Sequence, residues 1–313
     1  MNVFTRFRSA STANSTKSAE PSIDYGPITH SAILTAPKEY DPILNPPLDD
    51  EKKKKIKDLM TYMESIMIDK EDPYYPSEKG FLTEATVHRY MRARKWNYET
   101  AKTMLENTVK WRREYKPDKV DADSVRIEAE TGKMYYSGFD RMGRPLWIMK
   151  PRYENSKDSD RQVKHIVFCL ERGIRLMPPQ VEKISIVVDF KDSTAANNAS
   201  VSTCKKFLDI LGNHYPERLG IAFLVNAPWF FFTTFKLIAP FMDPVTRNKI
   251  KFINPDDTKQ NTNTDQINMK DYISLDQMEV SLGGHYNFEF DIDVYWNDLL
   301  DKTGKPFKVI EYQ

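Results

Sequence analysis

HYPERLGIAFLVNAPWFFFTTFKLIAPFMDPVTRNKIKFI, residues 214–253, decides the fold. No charge occurs from Leu219 to Phe235, so the stretch nearly reads as a membrane span. Several features argue against one. Pro228 breaks a continuous helix in its middle, because it lacks an N–H and crowds the preceding turn. Asn226 sets a lone polar group near the centre, which is costly in lipid. Lys236 closes the run at about 17 residues, the bottom of the spanning range. The run divides better into a buried strand from Leu219 to Val225, a turn at Asn226-Ala227-Pro228, and a helix of about three turns ending near Pro240. That helix carries Trp229, Phe230, Phe231, Phe232, Phe235, Leu237 and Ile238, with Phe241 just beyond. At about 100° per residue they reach nearly every face. Such a helix is either buried on both sides or meets something apolar from outside, such as a bilayer or a lipid tail.

Upstream the pattern alternates. Lys183 to Phe190 reads as a buried strand, and Val201, Cys204, Leu208 and Leu211 mark a helix ended by Gly212-Asn213. Before them a long amphipathic helix follows Ser159. Its stripe is Val163, Ile166, Val167, Leu170, Ile174 and Met177, and Pro178-Pro179 stops it. MYYSG (134–138) and PLWIM (145–149) read as strands flanking the turn FDRMGR (139–144). Strand, helix, strand, helix, strand predicts an α/β domain with a mostly parallel sheet.

The chain before it is helical. Ile56, Leu59, Met60, Met63, Ile66 and Met67 recur at helical spacing, with Lys52 to Lys55 as a solvated helix start. A second helix follows Thr83 and includes Val87, Tyr90, Met91 and Trp96; a third runs from about Tyr98 to Tyr115. The expected organisation is therefore a disordered or loosely packed tail (1–49), a helical module (50–117), an α/β domain (118–296) and a C-terminal extension (297–313). Pro21 to Pro47 reads as proline-punctuated linker, unable to build a core.

Composition excludes some functions. With 313 residues and a net charge of +1, the chain has no global field to hold nucleic acid. Cys169 and Cys204 sit in apolar helical patterns and read as reduced core residues of an intracellular protein. No apolar segment of signal-peptide type opens the chain. The first 20 residues are rich in Ser and Thr, with Arg6, Arg8 and Lys17 and no acid before Glu20. This fits a mitochondrial presequence, or a disordered tail whose Val3, Phe4 and Phe7 touch membrane weakly. The common glycine-rich nucleotide, nucleophile-elbow and zinc-protease motifs are missing. His30, His88, His165, His214 and His285 share no metal-ligand spacing. Asp189 ends a strand, where α/β enzymes often place chemistry, but without a partner motif it reads as holding the following turn. A carrier of an apolar ligand fits these features better than an enzyme, with no cofactor and no metal.

RYMRARKWNYETAKTMLENTVKWRREY (89–115) resembles the helical N-terminal module of the CRAL-TRIO family. YPERLGIAFLVNAPWFFFTTFKLIAPFMDPVTRNKI (215–250) resembles the lipid-gate region of fungal Sec-fourteen-type phosphatidylinositol transfer proteins, with Y-P-E-R, N-A-P and P-F-x-D-P-x-T in order. The resemblance runs from about residue 50 to 296, including Gly283-Gly284. KPRYENSKDSDRQVKHIVFCLERGIRLMPP (150–179) is most similar to the yeast pleiotropic-drug-resistance branch, which carries phosphatidylinositol and sterol.

The resemblance implies a headgroup site of Arg94, Glu217, Thr246 and Lys249. The residue types suit it: cations for a phosphodiester, a carboxylate and a hydroxyl for inositol. Without the resemblance, the alternative reading of Arg94 and Glu217 is a salt bridge between modules. In the family a Ser and a Thr on the strand leading into the aspartate that matches Asp189 hold phosphatidylcholine; here Ile184 and Ile186 stand instead. With Val188 they predict an apolar pocket wall. The resemblance thus implies a cytoplasmic protein, peripheral on intracellular membranes, that exchanges phosphatidylinositol and a second apolar ligand, sterol. The 229–241 helix is its mobile gate, and Gly220 and Gly283-Gly284 are either hinges or packing glycines. Other readings are a lipid sensor that presents phosphatidylinositol to a lipid kinase, a phosphatidylinositol/phosphatidylcholine exchanger, or an α/β enzyme acting on lipids.

Overall fold

Five strands lie in one sheet in chain order: β1 (Met134–Phe139), β2 (Pro145–Met149), β3 (Ile184–Asp189), β4 (Leu219–Val225) and β5 (Ile250–Ile253). The computed structural model describes residues 23–197, 200–253 and 267–304. β1 and β2 pair antiparallel; β2, β3, β4 and β5 run parallel. The β1–β2 turn is tied by the Asp140 carboxylate, which accepts from the N–H of Met142 and of Arg144, each at 3.0 Å.

The helical module holds α1 (Asp50–Ser65), α2 (Tyr75–Phe81), α3 (Glu84–Ala93) and α4 (Tyr98–Tyr115). Asp49, Thr83 and Asn97 cap α1, α3 and α4 by accepting from backbone N–H groups of the first turn. The lysine run at the start of α1 is solvated and paired locally: Lys52 with Asp49 and Lys55 with Glu51, both at 2.7 Å. Ile56, Leu59, Met63, Val87, Tyr90, Met91, Leu105 and Val109 form this module's own core.

Around the sheet lie α5 (Asp123–Ala129), α6 (Ser159–Leu176), α7 (Val201–His214), α8 (Trp229–Ile238), α9 (Pro244–Asn248) and α10 (Ile292–Thr303). The chain thus has the α/β architecture expected, with a helical N-terminal module and a mostly parallel sheet. Short elements went unforeseen: α2, α5, α9 and β5, of 4 to 7 residues, are too brief to show a period.

Two expected boundaries differ from the structure. Residues 23–49 do not form a loose linker. Thr29 bridges to Phe288, the Gly138 N–H donates to the Ile33 carbonyl at 2.9 Å, and Leu34 is 6% exposed in the sheet core. Tyr40 packs where a Cβ on Gly143 (φ +75°) would sit. Prolines keep this segment extended, and its apolar residues are spaced to touch the domain singly. At the other end, α10 runs across the 296/297 boundary, and Trp296 and Leu299 share one core. The presequence question falls on residues outside those described.

Candidate functional site

The two faces of the sheet are covered differently. On β3, Ser185 and Val187 are fully buried, and the facing Phe223 of β4 packs on Tyr272. Ile184, Ile186 and Val188 point the other way, because successive side chains alternate. Register aligns Trp147 with Ile186, Leu224 with Val188, and Phe252 with Leu224. Helices cover this second face. Ile184 lies against Gly173 of α6, Trp147 against Phe207 of α7, and Phe252 against Phe232 and Phe235 of α8. Yet Ile186 and Val188, on a central strand beneath helices, are only half-buried, while Ile184 is 2% exposed. Two buried polar atoms on this face, Trp147 Nε1 and Tyr136 Oη, lack hydrogen-bond partners among the described residues. Buried orphans of this kind are rare in proteins.

α8 connects the end of β4 to α9 and the start of β5. Its turn uses Asn226 at φ +57°, with the amide near Asp189 at 3.4 Å. Asp189 also accepts from the Lys191 N–H at 3.0 Å and from Arg152 at 2.7 Å, so it holds the following turn. Phe231, Phe235 and Ile238 form the inner stripe at helical spacing. The Phe231 ring lies tilted 4.4 Å from Phe190, Phe235 sits 5.4 Å from Phe252, and Ile238 is buried. The outer stripe is solvent-facing: Trp229 is 80% exposed, Leu237 56% and Phe241 55%. Phe230 is half-buried against Trp229, and Phe232 lies between the stripes on Phe252. Only Ile238 of these eight residues is buried, so the helix is not core on both sides. Lys205 of α7 stands 4.4 Å from the Phe241 ring.

The polar positions gather at the opposite end, where the parallel strands begin. Glu217 (φ +60°) lies two residues before β4, and Lys249 directly precedes β5. Lys249 Nζ donates to the Leu219 carbonyl at 3.0 Å. Thr246 sits in α9, whose cap Asp243 accepts its N–H at 2.9 Å. Glu217 faces Lys183 at 3.8 Å rather than Arg94, so it is not half of an Arg94 bridge. Burial lowers the Lys183 pKa, Lys249 lowers it further, and Glu217 offsets part.

Arg94 ends α3 and lines a cleft of about 450 Å³ with Thr100, Thr103, Met104, Asn107, Asn213 and His214. Tyr90, one turn back, donates to the His214 carbonyl at 3.0 Å and brings α3 to the foot of α7. Among the described residues the Arg94 guanidinium has no ion-pair partner. The structure thus brings Glu217 and Lys249 together and sets Arg94 beside the segment leading into Glu217. His214 stacks 4.2 Å from Trp111, and burial pushes its pKa down to about 4. Lys183, which the sequence pattern marks only as the first residue of a strand, joins Glu217 and Lys249 at this end.

Gly220 and Gly284 behave as packing positions, whereas Gly283 (φ +86°) has open space around it and serves its backbone conformation. A Cβ on Gly220 would meet the Arg144 guanidinium at 2.5 Å, and one on Gly284 the Met278 carbonyl at 1.9 Å. Both cysteines are free; burial pushes the Cys169 thiol up to about 12 and also raises that of Cys204, as expected of unreactive thiols. No helix among the described residues is long and apolar enough to cross a membrane.

Known proteins share this arrangement. The chain matches the CRAL/TRIO, N-terminal domain over residues 53–107 and the CRAL/TRIO domain over residues 129–284. A CRAL-TRIO domain-containing protein of Schizosaccharomyces pombe is 39% identical over 72% of this chain and 21% of its own length. The phosphatidylinositol transfer protein PDR17 of Saccharomyces cerevisiae is 35% identical over 72% of this chain and 64% of its own. The SEC14 cytosolic factor of Kluyveromyces lactis is 32% identical over 65% of this chain and 70% of its own. The match to the crystal structure of Sfh5, at a TM-score of 0.54 and 20% identity, spans 66% of this chain and 82% of that one and speaks for the fold alone. A helical module docked on a parallel sheet, with both domains matched in order along the chain, places this protein in the CRAL/TRIO family.

Proposed function

We propose that this chain is a lipid carrier that takes up phosphatidylinositol and a second apolar ligand, sterol, and exchanges them between membranes. One observation carries the reading: Ile186 and Val188 stay half-accessible beneath helices, while Ser185 and Val187 on the other face of the same strand are sealed. The apolar surface that Ile186 and Val188 leave accessible suits an apolar guest. Relatives named for phosphatidylinositol transfer support the choice of lipid.

Two acyl chains hold about 30 methylenes, worth roughly 0.8 kcal/mol each on burial, so carrying them exposed through water costs on the order of 20 kcal/mol. A carrier must enclose them and open against a membrane. α8 suits a gate, with one apolar stripe inward and another outward. Arg94, Glu217, Thr246 and Lys249 hold the inositol phosphate at the strand starts, and the chains run under α8. Ile184, Ile186 and Val188 form an apolar wall where phosphatidylcholine would leave its phosphate unpaired. Trp147 Nε1 and Tyr136 Oη offer donors to a ligand with a single hydroxyl, as a sterol has. The protein works as a carrier, not an enzyme, on cytoplasmic membrane faces.

The test is competitive loading from mixed vesicles holding labelled sterol, phosphatidylinositol and phosphatidylcholine. The wild type takes up the first two and little of the third. Ile186→Thr weakens sterol uptake; Ile184→Ser also opens a cavity against Gly173, so it is the poorer probe. Efficient phosphatidylcholine exchange without sterol uptake would leave a general phospholipid carrier. A folded protein that extracts no lipid overturns the reading altogether.

A further inference from the structure

Every parallel strand of the sheet is preceded by a cation. Arg144 stands before β2, Lys183 before β3, Arg218 before β4 and Lys249 before β5. Because the strands run parallel, all four project from one end of the sheet. Arg92 of α3 joins them there through Glu182.

Carboxylates match only part of this charge. Asp140 takes Arg144 at 2.6 Å and Glu182 takes Arg92 at 2.6 Å. Glu217 faces Lys183 at 3.8 Å, a loose contact between groups a quarter to a third exposed. Arg218 and Lys249 have no carboxylate in ion-pair range among the described residues. Arg218, 7% exposed, donates to the Glu182 carbonyl at 2.8 Å and leaves its Nε without a partner. Lys249 leans on the Leu219 carbonyl. With Asp243, which feels the charge of Lys249, and Arg89, which acts likewise on Glu182, six cations stand against four carboxylates in a place partly shut from water, where unmatched like charge is costly.

The ligand that relieves this excess must bring more than one negative charge. A phosphodiester brings one. A phosphomonoester adds about 1.5 to 2 more, with three acceptor oxygens. Lys183 is the cation best able to turn to it, since its partner is distant and it is a third exposed, whereas Arg144 and Arg218 are buried. We propose that this end of the sheet binds an inositide carrying a phosphomonoester besides its phosphodiester, with Lys183 gripping the added phosphate beside Lys249. The proposal rests on the inositide reading of the site given above. A free inositol phosphate offers the same chemistry, so the test separates the two sources.

Full-length protein is mixed with sedimentable phosphatidylcholine vesicles doped with labelled phosphatidylinositol or labelled phosphatidylinositol 4-phosphate, and the lipid left in the supernatant is measured. The wild type extracts the 4-phosphate at least as well as phosphatidylinositol. In Lys183→Met the ratio of 4-phosphate to phosphatidylinositol extraction falls about tenfold, the size of one charge-assisted contact. Lys183→Arg keeps the ratio. A melt of each variant checks folding. Extraction of phosphatidylinositol but not of the 4-phosphate overturns this proposal and leaves the carrier reading standing. An unchanged ratio in Lys183→Met makes Lys183 a partner of Glu217 and nothing more. Extraction of neither inositide by folded protein removes the inositide half of the carrier reading, on which this proposal rests. If inositol 1,4-bisphosphate binds in solution while neither lipid is extracted, the site is a receptor for the free phosphate and the lipid proposal falls.

Discussion

Arg94 and Lys249 are bound into the fold to different degrees, and this decides how they are probed. Lys249 gives its ammonium to the Leu219 carbonyl, so replacing it also strips a backbone acceptor at the start of β4. The Arg94 guanidinium, which has no ion-pair partner among the described residues, lines an open cleft, so its removal touches little else. Arg94→Ala should leave stability within about 0.5 kcal/mol, as for other surface changes. A charge-assisted contact to phosphate is worth about 1.5–3 kcal/mol, so phosphatidylinositol transfer should fall about tenfold or more in Arg94→Ala and in Lys249→Ala. Sterol uptake should persist in both, because the apolar wall lies further along the strands. Parallel assays with the two labelled lipids decide this. Equal loss of both ligands means a shared site or damaged folding, and intact phosphatidylinositol transfer takes these residues out of the headgroup site.

At the scale of elements, α8 shows what a one-dimensional pattern holds and what it omits. Its existence and ends were legible, because Pro228 and Pro240 bracket a run rich in aromatic and aliphatic residues. Its orientation was not, because apolar residues on every side define no inner face. Contacts from Phe190, Phe252 and Lys205, all distant in sequence, fix it. The same limit hid the 23–49 segment, whose partners at 138, 141 and 288 are spatial neighbours only. By contrast β1, β2 and β4 match their expected limits to within a residue, since buried strands keep their apolar character wherever they pack. For the headgroup set, the residue types came from resemblance, and their common place at the strand starts came from the parallel register. The two stripes of α8 predict opposite outcomes. Trp229→Asp with Leu237→Asp changes only exposed positions, so the melting temperature should hold within a few degrees while vesicle binding and transfer drop. Phe231→Asp buries a charge against Phe190 and should destabilise the closed helix by several kcal/mol. Vesicle co-sedimentation beside a thermal melt separates them; a collapsed melt for the outer pair would make that stripe structural.

The whole molecule depends on a polar joint between its two modules. Arg112 of α4 is 5% exposed and donates to Glu171 of α6 at 2.8 Å, with Asp118 at 3.7 Å. Tyr215 donates to the same Glu171 at 2.8 Å, and the Arg112 guanidinium lies 4.3 Å from the Phe81 ring. Burial works to raise the Glu171 pKa, but the charge and hydrogen bonds of Arg112 outweigh it and hold the carboxyl below its usual range. A depressed carboxyl contributes stability that is complete above its unfolded value of about 4.3 and drains as pH falls through the folded value. Glu217, Thr246, Lys249 and α8 sit on one module and Arg94 on the other, so this joint also sets the geometry of the proposed site. Arg112→Met should leave Glu171 and Asp118 with only the more distant charge of Arg175 and cost about 3–5 kcal/mol. At about 2.1 cal/mol/K of unfolding entropy per residue, a chain of 313 residues loses about 1.5 °C per kcal/mol, so the melting temperature falls by roughly 5–8 °C. The double change Arg112→Met with Glu171→Met should recover part of that, because no lone charge is left buried, and should flatten the loss of stability below about pH 5. Melts of the wild type, single and double variants between neutral and acid pH measure both effects. If Arg112→Met costs less than about 1 kcal/mol, the modules are held by apolar contact and the ion pair only sets their register.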